Sequence, residues 1–143
     1  MKKLIMVGKS GAGKTTLTQA LLGQKIVHIK TQSTEFNKNI IDIPGEYLEN
    51  PRYYNAIITM AFDADVMVLV CDAKSEDYYF PPNFGDMFNM KVIGVVTKID
   101  LNCDDKEVEK VKCVLRQAGA SPIFTVSAFT DEGMIELKKL LEG

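Results

Sequence analysis

The run Leu4-Ile5-Met6-Val7 is wholly apolar and passes straight into Gly8-Lys9-Ser10-Gly11-Ala12-Gly13-Lys14-Thr15. This second stretch fits G-x-x-x-x-G-K-[ST], which average residue frequencies produce in about one chain of this length in a hundred. An apolar tetrad is what a strand buried on both faces of a parallel sheet requires. Thr15 to Leu22 then has helical character, and Gly23 is well placed to end that helix. Strand, glycine-rich turn and helix in this order make an anion cradle. The glycines let successive backbone N–H groups point inward, and the helix aims its positive dipole end at the same anion. Gly8, Ser10, Gly11, Ala12, Gly13, Lys14, Thr15 and Thr16 are therefore assigned to a bound nucleotide. Lys14 is expected to contact the β- and γ-phosphates and Thr15 to offer its hydroxyl to Mg²⁺. Thr16 has no role of its own beyond the helix.

The remainder of the chain alternates between strand and helix patterns. Ile40 to Ile43 (broken by Asp42), Val66 to Val70, Val92 to Val96 and Ile123 to Val126 are further apolar runs. Asn50 can cap a helix that starts at Pro51 and reaches about Phe62. Asp104 with Glu107 resembles a capping box. The helix behind it sets Val108, Val111, Val114, Leu115 and Ala118 on one face, with Gly119 closing it, and Met134, Leu137 and Leu141 mark a last helix. Between Gln32 and Ile43 there is room for a hairpin turning at Asn37-Lys38. The expected fold is α/β: a mostly parallel six-stranded sheet with one short antiparallel edge strand and helices on both faces. At 143 residues, the whole stretch 1–143 is expected to form a single domain.

Composition removes several function classes. Lys plus Arg is 17 and Asp plus Glu is 19, a net charge of −2, so phosphate neutralisation over a nucleic acid is not expected. Cys71, Cys103 and Cys113 contain no C-x-x-C pair, which argues against zinc and for reduced thiols. The apolar part of the opening MKKLIMVG is too short for a secretory signal, and Val66 to Cys71 is too short to cross a bilayer. A cytoplasmic protein with no membrane or nucleic-acid partner is the expectation.

Two further constellations complete a nucleotide site. Asp42 ends an apolar run and stands three residues before Gly45, giving D-x-x-G. Such a carboxylate can hold the water shell of Mg²⁺, and the glycine N–H can bond a γ-phosphate. A second hydroxyl for Mg²⁺ is sought in the loop before the hairpin, where Thr31 is preferred over Thr34. Thr97-Lys98-Ile99-Asp100 follows the fourth central strand. A carboxylate at Asp100 accepts from guanine N1–H and the exocyclic amino group, which adenine cannot match, and the stem of Lys98 can lie along the base. Ser127-Ala128, after the last strand, would bring the Ala128 N–H near guanine O6.

In order along the chain, GKSGAGKT, DIPG, TKID and SAF resemble the Ras-like, translation-factor class of P-loop GTPases. Closer still, Lys30-Thr31-Gln32, the stretch DIPGEYLENP from Asp42 to Pro51 and FNMKVIGVVTKID from Phe88 to Asp100 resemble small GTPase-like proteins of the EutP/PduV type. The resemblance implies Mg²⁺ and GTP as ligands and a bacterial cytoplasmic protein associated with ethanolamine or propanediol utilisation. It also implies a microcompartment or regulatory protein as partner. Lys14, Thr31, Gly45 and Glu46 are the residues it would put at the reacting end.

Several positions depart from the general GTPase pattern. Glu46 stands where many such proteins carry a glutamine that orients the attacking water, so slow hydrolysis or help from a partner is expected. Thr97 stands where asparagine is commoner, suggesting a less rigid base loop, and Phe129 replaces a frequent lysine. Gly11 occupies the place of an asparagine found in potassium-activated relatives, so no potassium requirement is expected. A small-acid kinase using ATP or GTP is the competing enzyme reading, which Glu46 favours and the presence of just two arginines, Arg52 and Arg116, opposes. A nucleotide-binding adaptor without turnover is the third. Tyr78, Tyr79, Phe80, Phe84 and Phe88 are expected mostly to pack a short helix onto the sheet, with a partner surface as the alternative. The single histidine, His28, has no acid or nucleophile beside it in the sequence.

Overall fold

The computed structural model describes residues 3–8, 17, 35–37, 40–43, 47, 51–72, 80, 83–97, 105–126, 136–137 and 139. Strand β1 (Leu4–Val7) is fully buried at every position, as its apolar run requires. Around it lie β2 (Glu35–Asn37), β3 (Ile40–Asp42), β4 (Val66–Asp72), β5 (Lys91–Thr97) and β6 (Ile123–Thr125). Among the described residues these six form one sheet in the order β2-β3-β1-β4-β5-β6. All pairings are parallel except the antiparallel β2–β3 edge. Asn37 pairs with Ile40, so residues 38 and 39 make the connection. Asn37 thus stands in the ladder and not in the turn expected at Asn37-Lys38, and Lys38 lies outside the described residues.

Side chains alternate across the sheet and build two cores. Ile5, Val7, Met67, Leu69, Cys71, Val92 and Val96 face one side, where Ile57, Ala61, Val111, Leu115 and Ala118 cover them. Leu4, Met6, Val66, Val68, Val70, Ile93 and Val95 face the other, where the helical residues Leu17 and Leu137 are fully buried. Helical residues therefore cover both faces. Helix α1 (Tyr54–Ala61) begins after a 3₁₀ turn, Pro51–Tyr53, and its N-cap is Tyr53 without a side-chain bond. The helix expected from Pro51 onward therefore starts with a tighter turn, which proline's fixed φ tolerates. It closes at Ala61, with Phe62 as C-cap.

Helix α2 (Asp105–Gln117) buries Val111, Leu115 and Ala118, while Val108 packs at the margin and Val114 is half-buried. Cys113 lies well inside α2 and is exposed, whereas Cys71, on β4, is buried. Gly119 closes the helix at φ +99°, its N–H bonding Arg116 O and the Ala120 N–H bonding Leu115 O, both at 3.0 Å. This is a Schellman motif, complete with apolar Ala120 and Leu115.

The 3₁₀ helix Phe84–Met87 docks on the end of α2. Asn83 N–H donates to Gln117 O at 2.7 Å and Gly85 N–H to Ala118 O at 2.6 Å. Both carbonyls belong to the set a helix end leaves without intrahelical partners. A Cβ on Gly85 would lie 2.9 Å from Ala118 O, so this close backbone approach requires glycine. Gly85→Ala is expected to destabilise the fold by about 1–3 kcal/mol, readable as a lower denaturant midpoint at unchanged slope. A midpoint equal to the parent's would mean the two segments part without loss. Phe80, Phe84 and Phe88 are all buried, with Phe84 5.5 Å from Phe80 and 5.3 Å from Phe88 between ring centroids. These three aromatics are packing residues; Tyr78 and Tyr79 lie outside the described residues.

Candidate functional site at the carboxyl edge of the sheet

Because β1, β3, β4, β5 and β6 are mutually parallel, their carboxyl ends share one edge. Gly8 of GKSGAGKT, Asp42 of DIPG and Thr97 of TKID stand at these ends. Gly8, buried, leaves the end of β1. Asp42 ends β3 as the register partner of Met6, and the Ile43 N–H donates to Met6 O at 3.2 Å. The first loop glycine and the D-x-x-G aspartate thus start from adjacent strand ends. After β1 the chain passes to β3 on one side and then to β4 on the other. That reversal is a topological switch point, where open α/β sheets bind ligands.

Further along the edge, Asp72 and Thr97 end β4 and β5 as register partners. Val126, buried and bonded through its N–H to Val96 O at 2.8 Å, leads into Ser127-Ala128. Thr97 is buried, and its hydroxyl donates to Cys71 O at 3.3 Å. Thr97, assigned to nucleotide contact from the sequence, is thus engaged within the sheet by its hydroxyl. Ser10, Gly11, Ala12, Gly13, Lys14, Thr15, Thr16, Thr31, Gly45, Glu46, Lys98, Asp100, Ser127 and Ala128 lie outside the described residues, as does the side chain of Asp42.

Two features escaped the sequence reading. Asp72 ends β4 beside Thr97, and its only signal was being the first charged residue after the run Val66 to Cys71. Tyr47, helical and half-buried, stacks on Tyr53 with centroids 4.9 Å apart and planes 16° from parallel. Tyr47 is two residues beyond Gly45, so this pair ties the segment after D-x-x-G to the entry of α1. Tyr54 sits edge-on to Phe84 at 5.5 Å, and burial pushes its phenol above the usual value, leaving it uncharged at neutral pH.

Among the described residues no group of three or more His, Cys, Asp or Glu could hold a metal ion. A Mg²⁺ ion does not need such a group, because it takes one or two hard oxygen ligands from protein and the rest from phosphate and water. The backbone of Asp42 pairs with Met6, two residues before Gly8.

A family model described as PduV-EutP, ethanolamine utilisation – propanediol utilisation, matches residues 1–143. The chain belongs to the PduV–EutP family. It is similar to the propanediol utilization protein PduV of Citrobacter freundii, 39% identical over 137 residues that cover 96% of this chain and 91% of the relative. It is also similar to a probable acetate kinase EutP of Escherichia coli (strain K12), 36% identical over 140 residues covering 96% and 87%. Among solved structures, a bacterial selenocysteine-specific elongation factor, EF-Sec, superposes with TM-score 0.64 and 25% identity over 98% of this chain. The PduV–EutP chain spans 28% of that elongation factor. The likeness shows a P-loop GTPase-like fold, as the four motifs implied. Among the described residues no helix is long and apolar enough to cross a membrane.

Proposed function

We propose that this PduV–EutP protein binds Mg·GTP and hydrolyses it slowly, as a cytoplasmic switch serving ethanolamine or propanediol utilisation beside bacterial microcompartments. One observation carries the reading most: the parallel register that sets Asp42 opposite Met6, two residues before Gly8, at the switch point. Phosphates held at β1 and a base read at the ends of β5 and β6 are two to three strand spacings apart, about 10–15 Å, a span suited to a nucleotide.

In this reading residues 8–16 bind the phosphates through backbone N–H groups, and Lys14 adds a charge on the β- and γ-phosphates. Thr15, Thr31 and Asp42 are the ligands for Mg²⁺. Bound there, Mg²⁺ supplies charge neutralisation on the leaving diphosphate. Gly45 donates its N–H to the γ-phosphate. Glu46 has no amide hydrogen to donate and brings negative charge towards an anionic group, so attack by water is poorly supported. Asp100 and Lys98 read guanine, with Ser127-Ala128 closing on O6. The partner of such a switch is a regulatory or microcompartment protein.

A second reading has its own observation: relatives 36% identical are described as probable acetate kinases. A carboxylate acceptor would replace water, its oxygen attacking the γ-phosphorus while the bond to the β–γ bridging oxygen breaks. An acyl phosphate and a nucleoside diphosphate would leave. Phosphate release and acyl phosphate are measured with GTP and with ATP, each with and without acetate. GTP is expected to turn over below about 10⁻² per second, unaffected by acetate. Acetyl phosphate formed in step with nucleoside diphosphate would establish the kinase instead. Tight GTP binding with no product at all would leave a nucleotide-binding adaptor.

A further inference from the structure

Phe62 is 88% exposed, more than any other large apolar side chain among the described residues. It is the C-cap of α1, at φ −55° and ψ −34°, with its N–H bonded to Thr59 O. Those are ordinary helical dihedrals that a polar residue adopts equally, so the helix end does not require an aromatic ring. Exposed Tyr53, by contrast, is occupied by its stack on Tyr47. Phe62 does not stand alone. α1 closes at the amino edge of the sheet, where residues 62–65 lead into β4. The 3₁₀ helix Phe84–Met87 docks on the end of α2 at the same edge and leads into β5, leaving Met87 39% exposed. Ala64 and Met90, just before the register partners Val66 and Lys91, are half-buried against the same core, as is Met60. Charge at this edge is biased. Asp63 follows Phe62 and Asp86 precedes Met87, both exposed, and Asp65 is exposed beside them. Among the described residues Lys3 and Lys91 oppose these three carboxylates, while Arg116 turns back along α2 to Glu109 at 4.0 Å.

We propose that this amino edge is a docking surface for a basic amphipathic helix of a partner protein, whose apolar stripe covers Phe62 and Met87 and whose cations meet Asp63 and Asp86. Apolar side chains rimmed by charge of one sign are the mark of such a surface. Complementarity of charge selects a basic occupant over an acidic one. The strands meet this edge by their ends and not by their sides, so it offers no ladder to an added strand, and the occupant must be held by side chains. Methionine suits that task, because its unbranched thioether adapts to the shape it meets. The nucleotide edge lies a strand length away, about 20 Å over the seven residues of β4, so a docked helix leaves it open. The inference does not depend on which base or acceptor that edge takes.

The test titrates the full chain against a dye-labelled peptide of about eighteen leucine and lysine residues at helical spacing, with glutamate replacing lysine in a control peptide. The parent is expected to bind the lysine peptide at least about tenfold more tightly than the glutamate peptide. Phe62→Ser, which alters no charge, is expected to weaken that binding roughly ten- to a hundredfold, the scale of one phenylalanine taken out of water. Its melting temperature should match the parent's, because the ring lies in solvent. Asp63→Asn combined with Asp86→Asn is expected to weaken binding roughly two- to tenfold and to flatten its dependence on salt. No binding of the lysine peptide by the parent, equal binding of both peptides, or unchanged affinity in Phe62→Ser overturns the proposal. So does sedimentation in which the parent self-associates and Phe62→Ser does not, since the patch would then belong to a second copy of this chain. A parent that binds the lysine peptide as expected but takes up no GTP removes the nucleotide reading and leaves this surface in place.

Discussion

Lys14→Ala is expected to weaken Mg·GTP binding by a hundredfold or more while leaving the fold intact. The size follows from the chemistry. An ammonium bonded to two phosphate oxygens forms two charge-assisted hydrogen bonds, each contributing about 1.5–3 kcal/mol, and every 1.4 kcal/mol is tenfold in affinity. The fold is indifferent for a separate reason. β1 is held by complete burial of Leu4, Ile5, Met6 and Val7 between its two neighbours, and Leu17 is buried on the far side of the loop. Both anchors are buried apolar side chains. Lys9, in a variable position of the same loop, provides the control: Lys9→Ala removes the same charge and is expected to alter affinity less than tenfold, the scale of a single positioned contact. Titration of a fluorescent guanine nucleotide reads both. Equal losses for the two lysines would reduce the loop to a diffuse positive patch, and binding by Lys14→Ala within threefold of the parent would remove it as a phosphate loop.

The sheet was legible in the sequence because burial on both faces leaves no alternation to misread. Leu4 to Val7, Val66 to Cys71 and Val92 to Val96 carry apolar side chains on both faces, broken only by Gly94, and each is a parallel strand. The closure of α2 was legible too, since Gly119 at φ +99° is a backbone demand that few residues other than glycine meet. The exact strand ends were less so. β5 runs on to Thr97 because pairing with Asp72 and the bond to Cys71 O continue the ladder past the last valine. A polar residue at a strand end reads as loop unless its partner is known, and that partner is a backbone carbonyl 26 positions away. Asp72 went unnoticed for the same reason. The sequence motifs point to loops, but the register alone brings Asp42 to Met6, two residues before Gly8, and Asp72 to Thr97.

Asp100→Asn separates the readings most sharply, because it changes the identity of the base accepted and not merely its affinity. The carboxylate accepts from guanine N1–H and the exocyclic amino group. Asparagine keeps one acceptor and presents an N–H where the second acceptor stood, so it meets the amino group donor to donor. Losing a charge-assisted bond and facing two donors together should weaken GTP by about thirty- to a thousandfold. Xanthine carries a carbonyl where guanine has the amino group, so XTP gains the bond that GTP loses, and the preference should invert. ATP, which never used the carboxylate, should bind as before. Competition of XTP, GTP and ATP against a common labelled nucleotide reads all three at once. Inversion also bears on the kinase reading: production of acyl phosphate that moves from GTP to XTP with the substitution would make this carboxylate the base reader of a phosphotransferase. Production that follows ATP throughout, unchanged by Asp100→Asn, would show that the chain has a phosphate loop but no guanine pocket, and the switch reading would fall.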